Sequence, residues 1–303
     1  MLDPKLLQAL AAVVENGGFD KAAKALFLTQ SAVSQRIKQL EERLGQPVVT
    51  RTTPVDATPH GRHLIQHFRQ LTLMEAELME TLQAGDGHAG FSTLAVAVNA
   101  DSLATWFLDA ARPALEATRL LLDIRVDDQE HTHELLRGGH VSGCVSSRSQ
   151  TIQGGESHYL GSMRYLCLAA PHFVERYFAD GVSHTALSAA PALLFDRKDS
   201  LHQAFLQRQL AFTLDFPALT LPSVQGFLDY TLAGIAYGLI PEGMAEAALG
   251  DGRLIDLAPG KHLDVPLYWH HWQMEVALAR QLTATIIEQG RRVLRQCPDN
   301  LPT

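Results

Sequence analysis

The stretch TQSAVSQRIKQLEERLGQPVVTRTT, residues 29–53, decides how the rest of the chain is read. Val33, Ile37, Leu40 and Leu44 recur at helical spacing and fall within about 40° of Val33 on a helical wheel. Ser31, Ser34, Gln35, Lys38 and Glu42 lie roughly 100° to 200° away. The apolar stripe therefore faces a core, and hydroxyls, an amide and a cation face outward. Thr29 or Gln30 starts this helix, Gly45 stops it and Pro47 prevents its resumption. VVTRTT, residues 48–53, is β-branched and reads as a small strand or wing.

An ordinary surface helix fills its polar face with Glu and Lys. Here the first exposed turn carries Ser, Ser and Gln, and the acids Glu41 and Glu42 come later. Gln pairs with adenine edges, Ser donates or accepts in a major groove, and Lys and Arg neutralise phosphate. The helix N-terminus itself favours an anion. A short helix marked by Phe19, Ala22, Ala23 and Leu26 precedes it, after a first helix marked by Leu6, Leu10 and Val13. Short helix, turn and amphipathic helix make a helix-turn-helix. The expected DNA contacts are Thr29, Gln30, Ser31, Ser34, Gln35, Arg36 and Lys38, with Arg51 on the wing.

Charge divides the chain in the same place. The whole 303-residue sequence carries −8, yet residues 1–70 carry +3 and the remainder −11. A mildly basic module joined to an acidic body is the expected arrangement. Hydrophobic content of 46% and charged content of 19% fit a folded chain of about two domains. The opening MLDPKLLQAL lacks the pattern of a signal peptide, and no apolar run has membrane-helix length. Cys144, Cys167 and Cys297 are few, odd in number and far apart, which fits a reducing cytoplasm and excludes a disulfide framework.

Beyond the wing, a long helix is expected from about Pro59 to Ala84. Leu64, Phe68, Leu71, Leu78 and Leu82 form a heptad seam, with Glu75 at the skipped position, and the seam reads as a dimerisation face. GDGHAG at 85–90 matches GxGxxG by letter, but a helix precedes it and an apparent strand follows, so it reads as a linker. From residue 92 short apolar runs alternate with helical stretches. Expected strands are 93–98, 120–126, 141–146, 164–169, 192–195, 218–221, 237–240, 253–257 and 265–270. This alternation predicts a mostly parallel α/β body.

Catalytic signatures are lacking. No GxSxG elbow and no GxxxxGK[ST] loop is present. His131 and His133, and the pair His270 and His271, lack the spacing of a strong metal motif and read as surface or packed histidines. No enzyme activity, cofactor or metal is expected.

AAKALFLTQSAVSQRIKQLEERLGQPVVTRTT followed by TPHGRHL resembles the N-terminal winged helix-turn-helix of LysR-type transcriptional regulators. NADSLATWFL (99–108), LHQAFL (201–206) and LYWHHW (267–272) are similar to the arginine/lysine-export branch of that family. The resemblance implies an α plus α/β fold: a winged helix-turn-helix over 1–58, a linker helix and hinge over 59–90, and a two-lobed effector domain over 91–303. That domain is like a type 2 periplasmic binding protein, with lobe 1 at about 91–162 plus 270–303 and lobe 2 at about 163–269. It also implies a co-effector, lysine or arginine, a homodimer or homotetramer, promoter DNA and RNA polymerase as partners, and no membrane. In open α/β sheets, ligands sit beyond the carboxyl ends of strands. Asn99, Ser102, Asp128, Ser146, Asp196 and Ser223 stand at such ends and are the expected effector contacts. Ser102 is also an N-cap candidate. Arg197 and Lys198 beside Asp196 would oppose a cationic ligand if they pointed inward. Two other readings stand beside this one. One is a regulator answering another metabolite, and the other is a ligand-binding α/β protein whose N-terminal helices serve only oligomerisation.

Overall fold

The computed structural model describes residues 2–50, 52–82, 91–127, 132–152, 154–273 and 276–296. GDGHAG and Arg51 lie outside the described residues, as does Asp128. Three helices open the chain: α1 (Pro4–Glu15), α2 (Phe19–Ala25) and α3 (Gln30–Leu44). Thr29 caps α3, its Oγ1 accepting from the Ala32 N–H at 3.2 Å, and Gly45 ends it at φ 71°. Val33, Ile37 and Leu40 are buried against Leu7, Leu10 and Val13 of α1 and Ala22 and Ala23 of α2. Burial of each such side chain stabilises the bundle by about 1.5–3 kcal/mol. Leu44 is only partly buried.

The wing forms less sheet than its β-branched sequence suggests. Among the described residues it has one isolated bridge, Val49 to Ala57. Pro47 and Pro54 withdraw ladder donors on either side. Threonine hydroxyls supply the turn instead: Thr50 Oγ1 accepts from the Asp56 N–H at 3.1 Å, and Thr52 Oγ1 donates to the Pro54 carbonyl at 2.9 Å. Helix α4 (Pro59–Leu82) begins under a Thr58 cap, whose Oγ1 accepts from the Gly61 N–H at 3.1 Å. Gly61 presses on the wing so closely that a Cβ there would sit 2.0 Å from the Val48 carbonyl oxygen. The T-x-x-G start is thus a cap followed by an obligatory close approach.

The heptad seam splits in two. Leu64, Phe68 and Leu71 pack with buried Ile65 onto the chain's own N-terminal core. Arg69 adds a 2.6 Å ion pair to Glu15 of α1. These three positions are therefore half-buried within the chain itself and only partly exposed to a partner. Met74, Leu78 and Met79 remain exposed.

The second part begins with β1 (Ser92–Val98), followed by a helical run made of α5 (Ala100–Ser102), a π-helical turn (Leu103–Phe107) and α6 (Leu108–Ala117). Then come β2 (Leu120–Val126), α7 (Thr132–Arg137), β3 (Gly143–Ser146) and the long β4 (Gly155–Ala169). Next are α8 (Pro171–Tyr177), α9 (His184–Ala189), β5 (Ala192–Leu194), α10 (Leu201–Leu210), β6 (Ala218–Thr220) and α11 (Val224–Leu232). The chain continues through β7 (Gly238–Pro241), α12 (Glu242–Gly250), β8 (Ile255–Asp256), β9 (Leu263–Trp272) and α13 (Ala277–Val293). The main sheet runs β2-β1-β3-β9-β4-β7, with β8 beside β4, and β5-β6 form a second small sheet.

The sheet is mixed rather than mostly parallel. β1 pairs in parallel with β2 and β3, but β9 is antiparallel to β3 and β4, and β4 is antiparallel to β7 and β8. The cause is the β4–β9 ribbon, which pairs from Gly155 with Trp272 to Tyr165 with Leu263 and so passes through both halves of the α/β part. Expectation placed β4 at 164–169 only, because GESHYLGSM at 155–163 is too polar to read as a core strand. Its register shifts between Tyr159 and Gly161. Gly161 there has φ 135° and a Cβ would meet Leu294 at 2.6 Å. Helices α9 and α12 were not anticipated. Trp106, Trp269 and Trp272 are buried, as expected of core residues. No described helix is long and apolar enough to cross a membrane.

Candidate DNA interface and effector cavity

Helix α3 presents Gln30, Ser31, Gln35 and Lys38 to solvent, with Ser34 half-buried at the edge of the same face. Thr29 is engaged in capping, and its Oγ1 lies 3.0 Å from Ser31 Oγ. Lys38 Nζ pairs with Glu42 at 3.6 Å, an exposed contact weak enough to yield to phosphate. Arg36 departs from this face: it lies beside the apolar stripe and is half-buried. Glu41 accepts from the Val48 N–H at 2.9 Å and so ties α3 to the wing. Phe27, in the turn between α2 and α3, was not anticipated; it has φ 55° and is 95% exposed.

The effector part encloses a cavity of about 570 Å³, within the size range of small-molecule sites. One wall comes from the ends of β1 and β2: Asn99, Asp101 and Asp127. The opposite wall comes from the loop after β5 and the start of α10: Asp196, Lys198, Asp199 and His202. Tyr165 of β4 and Val265 of β9 form the floor where the ribbon crosses.

Of the expected effector contacts, Asn99 and Asp196 line this cavity. Asn99 is the N-cap residue of the helical run after β1, but its side chain makes no capping bond, and its buried Oδ1 has no hydrogen-bond partner. Asp196 Oδ1 accepts from the N–H groups of Lys198 and Asp199 at 2.6 and 2.9 Å, so its carboxylate first shapes the turn. Ser102 is not an N-cap, because the helix starts at Ala100; it is fully buried beneath the wall with Oγ unpartnered. Ser146 is also buried, its Oγ accepting from the Arg148 N–H at 3.2 Å, while its neighbour Ser147 faces the cavity. Ser223 caps α11 through the Gly226 N–H at 3.0 Å and leaves the lining to Val224.

Four central groups, Asp101, Tyr165, Asp199 and His202, were not among the expected effector contacts. Asp101 Oδ2 accepts from the Tyr165 hydroxyl at 2.6 Å. Burial raises the Asp101 carboxyl above its ordinary range; the Tyr165 bond opposes this and the Asp199 charge adds to it. Burial, then the Asp101 charge, pushes the Tyr165 hydroxyl well up. Asp199 accepts from the Leu201 and Phe195 N–H groups at 3.0 and 2.9 Å, which aims it at the start of α10. His202 is buried, pushed down to about 3 by burial, and therefore neutral; neither ring nitrogen has a partner. Buried polar atoms left unpaired in a cavity wall are groups a ligand can satisfy. Asp199 carried a readable signal, an Asp-Ser pair just before a helix. Tyr165 and His202 carried none.

Comparison with known proteins identifies both parts of the chain. The model for the bacterial regulatory helix-turn-helix protein, lysR family, matches residues 4–62, and that for the LysR substrate binding domain matches residues 90–291. The chain is similar to the HTH-type transcriptional regulator ArgP of Pseudomonas aeruginosa, 44% identical over 290 residues and 96% of each chain. It is 42% identical to ArgP of Aeromonas salmonicida, over 97% of this chain and 98% of that one. Among solved structures, ArgP from Mycobacterium tuberculosis superposes with a TM-score of 0.83 at 36% identity, covering 98% of this chain and 100% of that chain. Full-length LysG from Corynebacterium glutamicum with bound effector Arg superposes with a TM-score of 0.77 at 33% identity, covering 97% of this chain and 100% of that chain. Matched by the family's DNA-binding and ligand-binding models over nearly all of its length, the chain belongs to the LysR family of bacterial transcriptional regulators and is not an enzyme.

Proposed function

We propose that this regulator senses a basic amino acid, arginine or lysine, and controls genes for amino-acid export or metabolism. The observation that carries the reading is the charge of the cavity wall: Asp101, Asp127, Asp196 and Asp199 against Lys198. A cation is the natural counterpart of that wall. The side-chain cation is assigned to Asp101 and Asp199. The α-carboxylate is assigned to the start of the helical run at Ala100, where helix N–H groups have no intrahelical acceptor. The similarity to LysG, a regulator solved with bound effector Arg, supports a basic amino acid as the ligand.

Ligand contacts to both walls favour a closed arrangement of the lobes, and the ligand acts only as far as it binds that arrangement better. Two chains join through the exposed half of α4, at Met74, Leu78 and Met79, so that paired α3 helices meet half-sites on promoter DNA. A homodimer or homotetramer, RNA polymerase contact and action in the cytoplasm complete the reading, with boundaries at 1–58, 59–90 and 91–303.

A thermal-shift screen of the full chain against the common amino acids tests the effector. Arginine or lysine at about a hundred times its dissociation constant should stabilise by about 2.7 kcal/mol. No shift with either, and a shift with a neutral or acidic metabolite, replaces the effector and leaves the family intact.

A further inference from the structure

At the far end of the β4–β9 ribbon, three side chains of metal-ligand type come together. Glu156 and His158 are two residues apart on β4 and share one face of the sheet. His271 of β9 is the register partner of Glu156. Glu156 Oε2 lies 3.4 Å from His158 Nε2 and 3.7 Å from His271 Nε2, and the three ligand atoms fall within 4.8 Å of one another. The two imidazoles stack with 6° between their planes.

The surroundings orient these groups. His271 Nδ1 lies 2.9 Å from the Trp272 carbonyl, which only accepts, so Nδ1 carries the proton and Nε2 keeps its lone pair. That Nε2 is buried and has no hydrogen-bond partner. Gln273 Nε2 donates to Glu156 Oε1 at 2.9 Å, leaving Oε2 turned to the histidines. Outer contacts of this kind fix tautomer and carboxylate orientation in metal sites. A tetrahedral ion with bonds of about 2.0–2.1 Å sets its donor atoms about 3.3 Å apart, close to the 3.4 and 3.7 Å between the Glu156 oxygen and the two ring nitrogens. A hollow of about 290 Å³ opens beside the trio, bordered by Trp269, Trp272 and Arg280, with room for a water as a further ligand.

We propose that Glu156, His158 and His271 bind a divalent cation of the zinc class, with solvent at an open coordination position. Imidazole donors select zinc and its transition-metal neighbours over magnesium and calcium, which take oxygen ligands. The ion sits next to the linker: Gln70 of α4 donates to the Gln273 carbonyl at 3.3 Å, and the Gln273 side chain holds Glu156. His271 in LYWHHW read as a surface or packed histidine; only the strand register brings it to Glu156 and His158.

The test is calorimetric titration of the full, tag-free, chelator-stripped chain with zinc chloride, and in parallel with magnesium chloride. One zinc per chain at micromolar affinity or better, and no magnesium, is expected. His158→Gln, at a side chain 31% exposed and so safe for folding, and Glu156→Gln should each weaken zinc at least tenfold. The arginine thermal shift should stay unchanged in His158→Gln. Absence of a one-to-one zinc event overturns the proposal. So does parental affinity in both variants, which would place the ion elsewhere among the 14 histidines.

Discussion

The outward groups of the recognition helix come from one segment, residues 29–38, whereas the cavity is walled by side chains spread over residues 99 to 265. The first surface belongs to a module that is net positive; the second carries four aspartates and a single lysine. The shapes of the targets account for the difference. A groove is met by a convex helix whose exposed face is set by local periodicity. A small ligand must be surrounded, so its contacts come from strand ends that only the folded sheet brings together. The α3 face makes few internal bonds, while Asp101, Asp196 and Asp199 are already held by neighbours. One site waits for its partner's donors and acceptors; the other is built in advance and strained by like charge.

The contrast breaks first, and hardest, at α3. Gln35→Ala combined with Ser34→Ala should abolish specific retardation of a promoter fragment in gel shift while leaving weak, sequence-blind binding. Each good base contact is worth about 1–3 kcal/mol, and two together roughly a hundredfold or more. Unchanged specific binding would move the reading surface away from this face. Next comes α4. Leu78→Asp should yield monomers by analytical ultracentrifugation and lower operator affinity about a hundredfold, since a module of so modest a charge depends on doubling. Leu64→Ala should instead destabilise the DNA-binding module, by the roughly 2–5 kcal/mol typical of a core leucine or less for its partial burial, read as a lower melting temperature. A verified monomer with parental affinity would contradict the dimer assignment.

Gly61→Ala sharpens the local side of the comparison. Its Cβ meets the Val48 carbonyl, and overpacking of this kind costs about 1–3 kcal/mol, read by chemical denaturation. The smallest effect belongs to Asp101. Its folded carboxyl lies above the ordinary value, so its stabilising contribution is complete at low pH and is lost as pH rises through the folded value. At neutral pH the charge is a burden, and Asp101→Asn should raise the melting temperature of the ligand-free chain by a few degrees. The parent should also lose arginine affinity on acidification at a pH above the ordinary carboxylate range, because the protonated carboxyl no longer pairs with a cation. An Asp101→Asn chain that melts lower would show that the Tyr165 bond outweighs the burial.

The helical core of the N-terminal part was legible from local pattern, though the wing and Arg36 were not. Val33, Ile37 and Leu40 are the buried stripe, Thr29 is the cap, and the T-x-x-G start marks α4. These signals are local, within one or two helical turns. On α4 periodicity shows that a face is apolar and not what covers it; Leu64, Phe68 and Leu71 are partly covered by the chain's own N-terminal core. In the effector part, strand ends pointed to Asn99 and Asp196 but not to Tyr165, which lies mid-strand on β4 and reaches Asp101 only across the fold. Ser102 misled by one helical turn, since the helix begins at Ala100 and rotates the serine inward. The polar first half of β4 hid the antiparallel ribbon on which both the cavity floor and the Glu156–His158–His271 cluster depend.

The most direct test of the acidic cavity is calorimetric titration of the full chain with arginine and with citrulline, its uncharged near-isostere, repeated on Asp101→Asn. A charge-assisted bond is worth about 1.5–3 kcal/mol, so arginine should bind roughly tenfold to a hundredfold tighter than citrulline, and most of that margin should vanish in the variant. Equal affinity for the two ligands, or an undiminished preference for arginine in Asp101→Asn, would contradict the account.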